Sequence, residues 1–262
     1  MTGAAQPRVA LTIAGSDPTG GAGLQLDLQV FALHGVHGMA VPTALTVQTT
    51  KGVRRTNPVF PSVVAEQLGA LLDDVRPHAL KLGMLATDDV LLAVAGALDR
   101  HGIPRVVDPV LRASDGAFLL EQRAFGNLLE RLVDGAALVT PNLPEAEALT
   151  GEVDPELAAR AFLELGARAV LVKGGHAGGP DSDDFLATRE GARVWLRGTR
   201  SGVGPVHGTG CALSAAITAR LARGESLEPA ARAAKDWVAR AIAGSHALGK
   251  GARILGLDVA PR

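Results

Sequence analysis

The chain has 262 residues, 47% of them hydrophobic but only 3% aromatic, so a core of useful size has to be built from Ala, Val and Leu. A formal net charge of −1 gives no whole-protein electrostatic reason to expect a nucleic acid or an anionic membrane as partner. A single cysteine excludes an internal disulfide and a cysteine-cluster metal site, and it points to a cytoplasmic setting. The N-terminus lacks the charged start and long apolar middle of a signal peptide, and no run of about 18 uninterrupted apolar residues predicts a membrane span.

Taken in chain order, short apolar runs alternate with helical patterns. Val9–Ala14 predicts a buried strand, Leu24–His34 a helix, Ala40–Gln48 a strand and Pro61–Asp74 an amphipathic helix. Ala79–Leu82 predicts a strand, Asp88–His101 a helix, Arg105–Asp108 a strand, Glu121–Leu132 a helix and Ala137–Thr140 a strand. Helices over Asn142–Leu149 and Pro155–Leu165 precede a strand at Ala169–Lys173. Phe185–Thr188 and Ala192–Leu196 read as a hairpin, and Ala212–Ala222 and Leu227–Leu248 as the closing helices. This alternation predicts a mostly parallel sheet covered on both faces, with residues 1–262 as one domain. The Gly-rich stretch 174–184 reads as a flexible loop rather than a boundary.

In such sheets ligands bind at the carboxyl ends of the strands. Gly15-Ser16-Asp17, Asp108-Pro109, Thr140-Pro141-Asn142 and Lys173-Gly174-Gly175-His176 all fall there. The stretch "HGTGCALSAAI" (207–217) sets Gly208 and Gly210 before a helix whose first amides lack partners and carry partial positive charge. That suits a phosphate or a transferring phosphoryl group; a plain Gly-rich turn is the structural alternative. The spacing is not that of a Walker A loop. The segment "AGSDPTGGAGLQLDL" (14–28) lacks the GxGxxG dinucleotide spacing and reads as a loop over a small polar substrate. Asp27 is placed on the first turn of the helix that follows, where compensation of the helix dipole competes with a binding role.

Asp108, a carboxylate closing a strand, suits one Mg²⁺ held mainly by water and phosphates, and Glu145 is placed to act on that metal through a water. Lys173, one of five lysines, closes a strand and suits a nucleotide phosphate. His34, His37 and His176 show no metal-ligand spacing.

Together, "LTIAGSDPTGGAGLQLDLQVF", "TALTVQTTKGV", "KLGML", "VVDPVL", "TPNLPEAEALTG", "VLVKGGH" and "HGTGCALSAAI" resemble the hydroxymethylpyrimidine/phosphomethylpyrimidine kinases of thiamine biosynthesis, in the ribokinase-like superfamily. The likeness runs in register from about residue 9 to 248. It implies a three-layer α/β/α sandwich with a central mostly parallel sheet, a homodimer, and ATP- and Mg²⁺-dependent phosphorylation of 4-amino-5-hydroxymethyl-2-methylpyrimidine and then of its monophosphate. By motif, the resemblance assigns Asp27 and Gln48 to hydrogen bonds with the aminopyrimidine and Gly15 and Met84 to its pocket. It assigns Asp108, Asn142 and Glu145 to Mg²⁺ and the phosphates, and Lys173, Gly174 and the turn Gly208, Thr209, Gly210 and Cys211 to the triphosphate and its transfer.

Cys211 stands where many relatives in the superfamily place an Asp base. A thiol at a helix N-terminus is expected to have a lowered pKa, and as thiolate it would accept the hydroxyl proton. The alternative is that Cys211 only fits the turn and its amide does the work.

Two stretches depart from the family pattern. "PVHGTGC" replaces the usual "NTHGTGC", so Pro205 and Val206 remove a backbone donor and a hydroxyl. "VLRASDG" (110–116) puts Ser114 at a Lys position, with Arg112 two residues earlier; either Arg112 compensates or phosphate handling is weaker. A pyridoxal or pyridoxine kinase and a catalytically impaired binding homologue are the competing readings.

Overall fold

The computed structural model describes residues 6–113, 116–176 and 179–261; Ser114 lies outside them. Its centre is a nine-stranded sheet in the order β3-β2-β1-β4-β5-β6-β7-β8-β9. The strands are β1 (Val9–Ser16), β2 (His37–Thr49), β3 (Gly52–Pro58), β4 (Ala79–Leu82), β5 (Arg105–Val107), β6 (Leu138–Val139), β7 (Ala169–Val172), β8 (Asp184–Thr188) and β9 (Arg193–Leu196). From β2 through β7 neighbouring strands are parallel, while β3, β8 and β9 add antiparallel edges. A short parallel pair, β10 (Val206–His207) and β11 (Arg253–Ile254), ties the C-terminal segment to the turn before a late helix.

Side-chain alternation along the strands splits the core into two layers. Leu11, Ile13, Leu80, Leu82, Val107 and Val139 point to one face, where they pack with α2 (Pro61–Asp74), α3 (Asp88–Leu98) and α6 (Pro155–Glu164). Ala10, Ala79, Val106, Leu138 and Leu171 point to the other, under α1 (Gly23–Leu33), α7 (Thr209–Ala222) and α8 (Leu227–Ala243). The three-layer α/β/α sandwich is therefore present. Alanine does the filling on the second face: Ala212, Ala215, Ala216, Ala219, Ala230, Ala231 and Ala234 are buried where α7 and α8 lie on the sheet. Trp237 fills the remaining space, donating from Nε1 to Val259 O at 2.9 Å and meeting His34 edge-on at 5.1 Å.

The sequence pattern assigns no element to β3, because "GVRRTNP" lacks apolar alternation; as an edge strand it is buried on neither face. Four expectations shift. The stretch from Gln122 to Val133, expected as one helix, is a 3₁₀ turn, a short α-helix α4 (Phe125–Asn127) and a π-helical turn. α7 begins at Thr209 rather than Ala212, and α8 ends at Ala243, before Gly244, rather than at Leu248. Asp27 is the fifth residue of α1, not in its first turn, and is wholly buried.

Candidate active site

At the carboxyl ends of the parallel strands lies a cavity of about 950 Å³. Gly15, Gln48, Met84, Asp108, Asn142, Glu145, Lys173 and the turn Gly208–Cys211 all line it. At one wall, β1 bulges against β2 between Ala14 and Gly15. A Cβ on Gly15 would stand 2.7 Å from the Met84 sulfur, so glycine lets the two residues approach closely at this wall. Gln48, on the far end of β2, faces the same space.

Asp27 is corrected. Both its oxygens lie 2.7 Å from Lys81 Nζ, and Thr12 Oγ1 donates to it at 2.6 Å. Thr12 and Lys81 are register partners on β1 and β4, so strand alternation turns both toward α1. Burial pushes the Asp27 carboxyl up and the Lys81 ammonium contacts pull it back; burial pushes the Lys81 ammonium down, but Asp27, Cys211 and Asp108 together outweigh it and raise its pKa. Its oxygens are engaged by Lys81 and Thr12, and Asp27 is not among the residues that line the cavity.

A second Lys–Asp pair faces the cavity. Lys173 Nζ donates to Asp108 Oδ1 at 2.8 Å and lies 3.9 Å from Glu145 Oε2. Thr140 Oγ1 donates to the same Asp108 oxygen at 3.2 Å, and Ser214 Oγ to the other at 3.0 Å. Burial alone would raise the Asp108 pKa, but Lys173, Lys81 and these hydrogen bonds bring it below the ordinary carboxylate value. Glu145 closes a capping box at the start of α5 (Leu143–Thr150): Asn142 Oδ1 accepts from the Glu145 amide and Glu145 Oε2 from the Asn142 amide, each at 2.8 Å. Burial raises Glu145 to about 7 against the pull of Lys173. Lys173 is pushed up, since Asp108 and Glu145 outweigh its burial.

The turn before α7 is built by contact with the N-terminal loop. Gly208 has φ +78° and serves as the N-cap, and a Cβ there would collide with Gly21 O. No side chain caps this helix among the described residues; its first amides face the cavity, where a Cβ on Gly210 would stand 3.2 Å from Lys173 Nζ. Gly174 is a second correction. Its amide donates to Asp184 Oδ1 at 2.9 Å and is spent there, and a Cβ would collide with Asp183 O, so its role is close packing. The neighbouring Gly175 lines the cavity instead.

The expected lowering of the Cys211 pKa is also corrected. Burial pushes the thiol up, and Asp108 and Asp27 add to that; Lys81 and a hydrogen bond from the Gly23 amide work the other way without prevailing. Arg112 lines the cavity with its guanidinium 3.6 Å above the Phe118 ring and donates to Gly116 O at 3.1 Å.

Several site residues were not singled out from the sequence. Ser214 sits one turn beyond the glycines. Lys81 lies inside the "KLGML" stretch with no local sign of its partner. Lys235 Nζ pairs with Asp184 Oδ2 at 2.7 Å, the carboxylate that holds the Gly174 amide. His207 Nε2 lies 2.9 Å from Asp17 Oδ2 and 3.0 Å from Gln48 Nε2. For His207, adjacency to the glycine turn was the available signal.

A mostly parallel sheet with an uncapped helix N-terminus, a lysine and two carboxylates in one cleft is the architecture of a small-molecule phosphotransferase. A sequence model of the phosphomethylpyrimidine kinase family matches residues 17–255, and the chain belongs to that family. It is 42% identical over 254 residues to a hydroxymethylpyrimidine/phosphomethylpyrimidine kinase of Staphylococcus aureus strain MRSA252, covering 94% of this chain and 92% of that one. A phosphomethylpyrimidine kinase of Clostridium difficile 630 superposes with a TM-score of 0.78 at 35% identity, covering 90% of this chain and 99% of that one. An ADP complex of Bacillus subtilis pyridoxal kinase superposes with a TM-score of 0.86 at 31% identity, covering 95% and 97%.

Proposed function

We propose that residues 1–262 form one kinase domain that uses ATP and Mg²⁺ to phosphorylate 4-amino-5-hydroxymethyl-2-methylpyrimidine and then its monophosphate. The observation that carries this reading is the shared cavity: a slot walled by Gly15, Met84 and Gln48 opens onto Lys173, Asp108 and the free amides of α7. An aminopyrimidine offers an amino donor beside a ring-nitrogen acceptor, and the Gln48 amide can meet both. The family relationship and the kinase names of the relatives support the same reaction.

Phosphoryl transfer asks for position and charge stabilisation more than covalent chemistry. Lys173 and the amides of Thr209, Gly210 and Cys211 supply positive charge where the transferring group builds negative charge. Asp108 orients Lys173 and is itself fixed by Thr140 and Ser214. Mg²⁺ takes one or two carboxylates and completes its shell with phosphates and water, which fits Asp108 with Glu145; when bound it neutralises phosphate charge. Asn142 shapes this corner through the capping box and lines the cavity. Cys211 serves as a neutral thiol beside the reacting group, and its amide does the electrostatic work, while the alcohol gives its proton to a phosphoryl oxygen as the new O–P bond forms and the bond to ADP breaks. The monophosphate needs no base, because its own oxygen is the nucleophile.

The pyridoxal reading has one specific support, the structural likeness to pyridoxal kinase. We place the protein in the cytoplasm, acting on small molecules as a homodimer; the exposed Leu45 and Val47 of β2 favour a partner copy there. The test is ATP-dependent turnover of the pyrimidine alcohol, its monophosphate and pyridoxal by the purified protein. Turnover of both pyrimidines is expected, with pyridoxal poorer. Preference for pyridoxal overturns the substrate, and no turnover of any of the three overturns the kinase.

A further inference from the structure

Gln48 is the group with most to say to an aminopyrimidine, yet a free glutamine amide can turn over and present either order of donor and acceptor. Its neighbours remove that freedom. Asp17 Oδ1 accepts from the Thr19 amide at 2.9 Å, and the Asp17 backbone amide donates to Gln25 Oε1 at 3.0 Å. Burial would raise Asp17, but the hydrogen bonds from His207 and Thr19 bring its pKa below the ordinary value, so it is an acceptor only. The proton between Asp17 Oδ2 and His207 Nε2, 2.9 Å apart, therefore belongs to His207.

His207 Nε2 carries that one proton and no lone pair, so toward the Gln48 atom 3.0 Å away it can only share the same N–H with Asp17. An amide nitrogen 3.0 Å from His207 Nε2 would set donor against donor. On the other side, the one proton of Thr46 Oγ1 has two acceptors in reach, Ser16 O at 2.8 Å and the Gln48 Oε1 position at 3.1 Å; given to the nearer Ser16 O, it leaves Thr46 Oγ1 only an acceptor toward Gln48. Both conflicts vanish with the amide oxygen on the His207 side and the nitrogen on the Thr46 side. Each amide atom then keeps one unused site, a lone pair on oxygen and one N–H on nitrogen.

We propose that His207, fixed by Asp17, is a specificity-determining positioning residue that locks the Gln48 amide in the one orientation able to read an exocyclic amine beside a ring nitrogen. The amine would lie on the His207 side and the ring nitrogen on the Thr46 side. His207 precedes the glycine turn directly, so the residue that orients ring recognition is joined to the segment that receives the phosphoryl group. A pyridine alcohol without that amine gains nothing from the lock. The inference rests on the aminopyrimidine reading of Gln48.

The experiment is calorimetric titration of the full chain with two probes, 4-amino-5-hydroxymethyl-2-methylpyrimidine and the same ring without its amino group. Wild type should prefer the amino compound. His207→Phe should cut that preference by roughly tenfold, the worth of one well-placed hydrogen bond. His207→Gln, whose amide nitrogen reaches the Nε2 position, should keep most of it. Because the readout is a ratio of two ligands on one sample, a partly unfolded variant does not distort it, and binding of a non-hydrolysable ATP analogue checks the phosphate side. Equal loss for both probes, or an undiminished preference in His207→Phe, overturns the lock alone. A wild-type protein that shows no preference for the amino compound overturns the reading of Gln48 and the lock with it.

Discussion

Two lysine–aspartate pairs sit side by side under one cavity, and they have opposite jobs. Lys81 and Asp27 meet at 2.7 Å with both side chains wholly inaccessible; Lys173 and Asp108 meet at 2.8 Å with the lysine 13% exposed toward the cavity. In the first pair Asp27 is engaged by Thr12 and Lys81, and Lys81 gives two of its three N–H donors to Asp27. The second keeps a cation turned toward the space a phosphate would fill. The same residue types therefore build a sealed strut in one place and a working charge in the other. The difference lies in which face of a strand, and which end of it, each residue occupies.

The sharpest way to break this comparison is to remove one charge from the sealed pair. Lys81→Met should cost about 3–5 kcal/mol in urea unfolding, because Asp27 is left buried and unpaired. Combining it with Asp27→Leu should recover most of that loss. A Lys81→Met protein with full stability and lost turnover would move this pair into the chemistry.

A smaller effect is expected at the support of the open pair. Ser214→Ala removes a donor from the buried Asp108 Oδ2 and should cost about 1–3 kcal/mol, again by urea unfolding. Smaller still, Cys211→Ser should slow both phosphorylation steps alike and by less than about tenfold, since an uncharged thiol gives up little to an uncharged hydroxyl. Selective loss of the first step in single-turnover assays would instead make the sulfur a proton acceptor.

The slightest change concerns His34, buried away from the cavity with Nδ1 donating to Val30 O at 2.9 Å and Nε2 without a partner among the described residues. Burial depresses its pKa in the folded state, with Arg220 and Arg223 helping and the Val30 and Glu225 interactions opposing. The unfolded chain then takes up the proton first, so stability holds above the ordinary value of 6.5 and falls as pH drops below it. His34→Phe should flatten that part of the melting-temperature profile.

Much of the sheet was legible because buried parallel strands announce themselves as apolar runs, and β4, α2 and the hairpin of β8 and β9 fell close to where the pattern put them. β3 was hidden because an edge strand of Arg, Thr and Asn has no buried face to report. The site was legible wherever a residue follows a strand directly, as Asp108 and Lys173 do. Asp27 misled because its partners, Thr12 and Lys81, lie on two other elements, and only the register between β1 and β4 brings them together. Gly174 misled for a related reason: a glycine beside a phosphate and a glycine beside another carbonyl look alike in one dimension. The Cys211 thiol was read from its helix terminus alone, whereas burial among two carboxylates dominates it.

The most direct test of the account is Lys173→Met, followed by the rate of phosphoryl transfer from ATP to the pyrimidine alcohol and by urea unfolding on the same sample. The account predicts a rate loss of about 10²–10³-fold, as for removal of a group that stabilises transition-state charge, in a protein that still folds. A variant that transfers phosphate at the wild-type rate would contradict it.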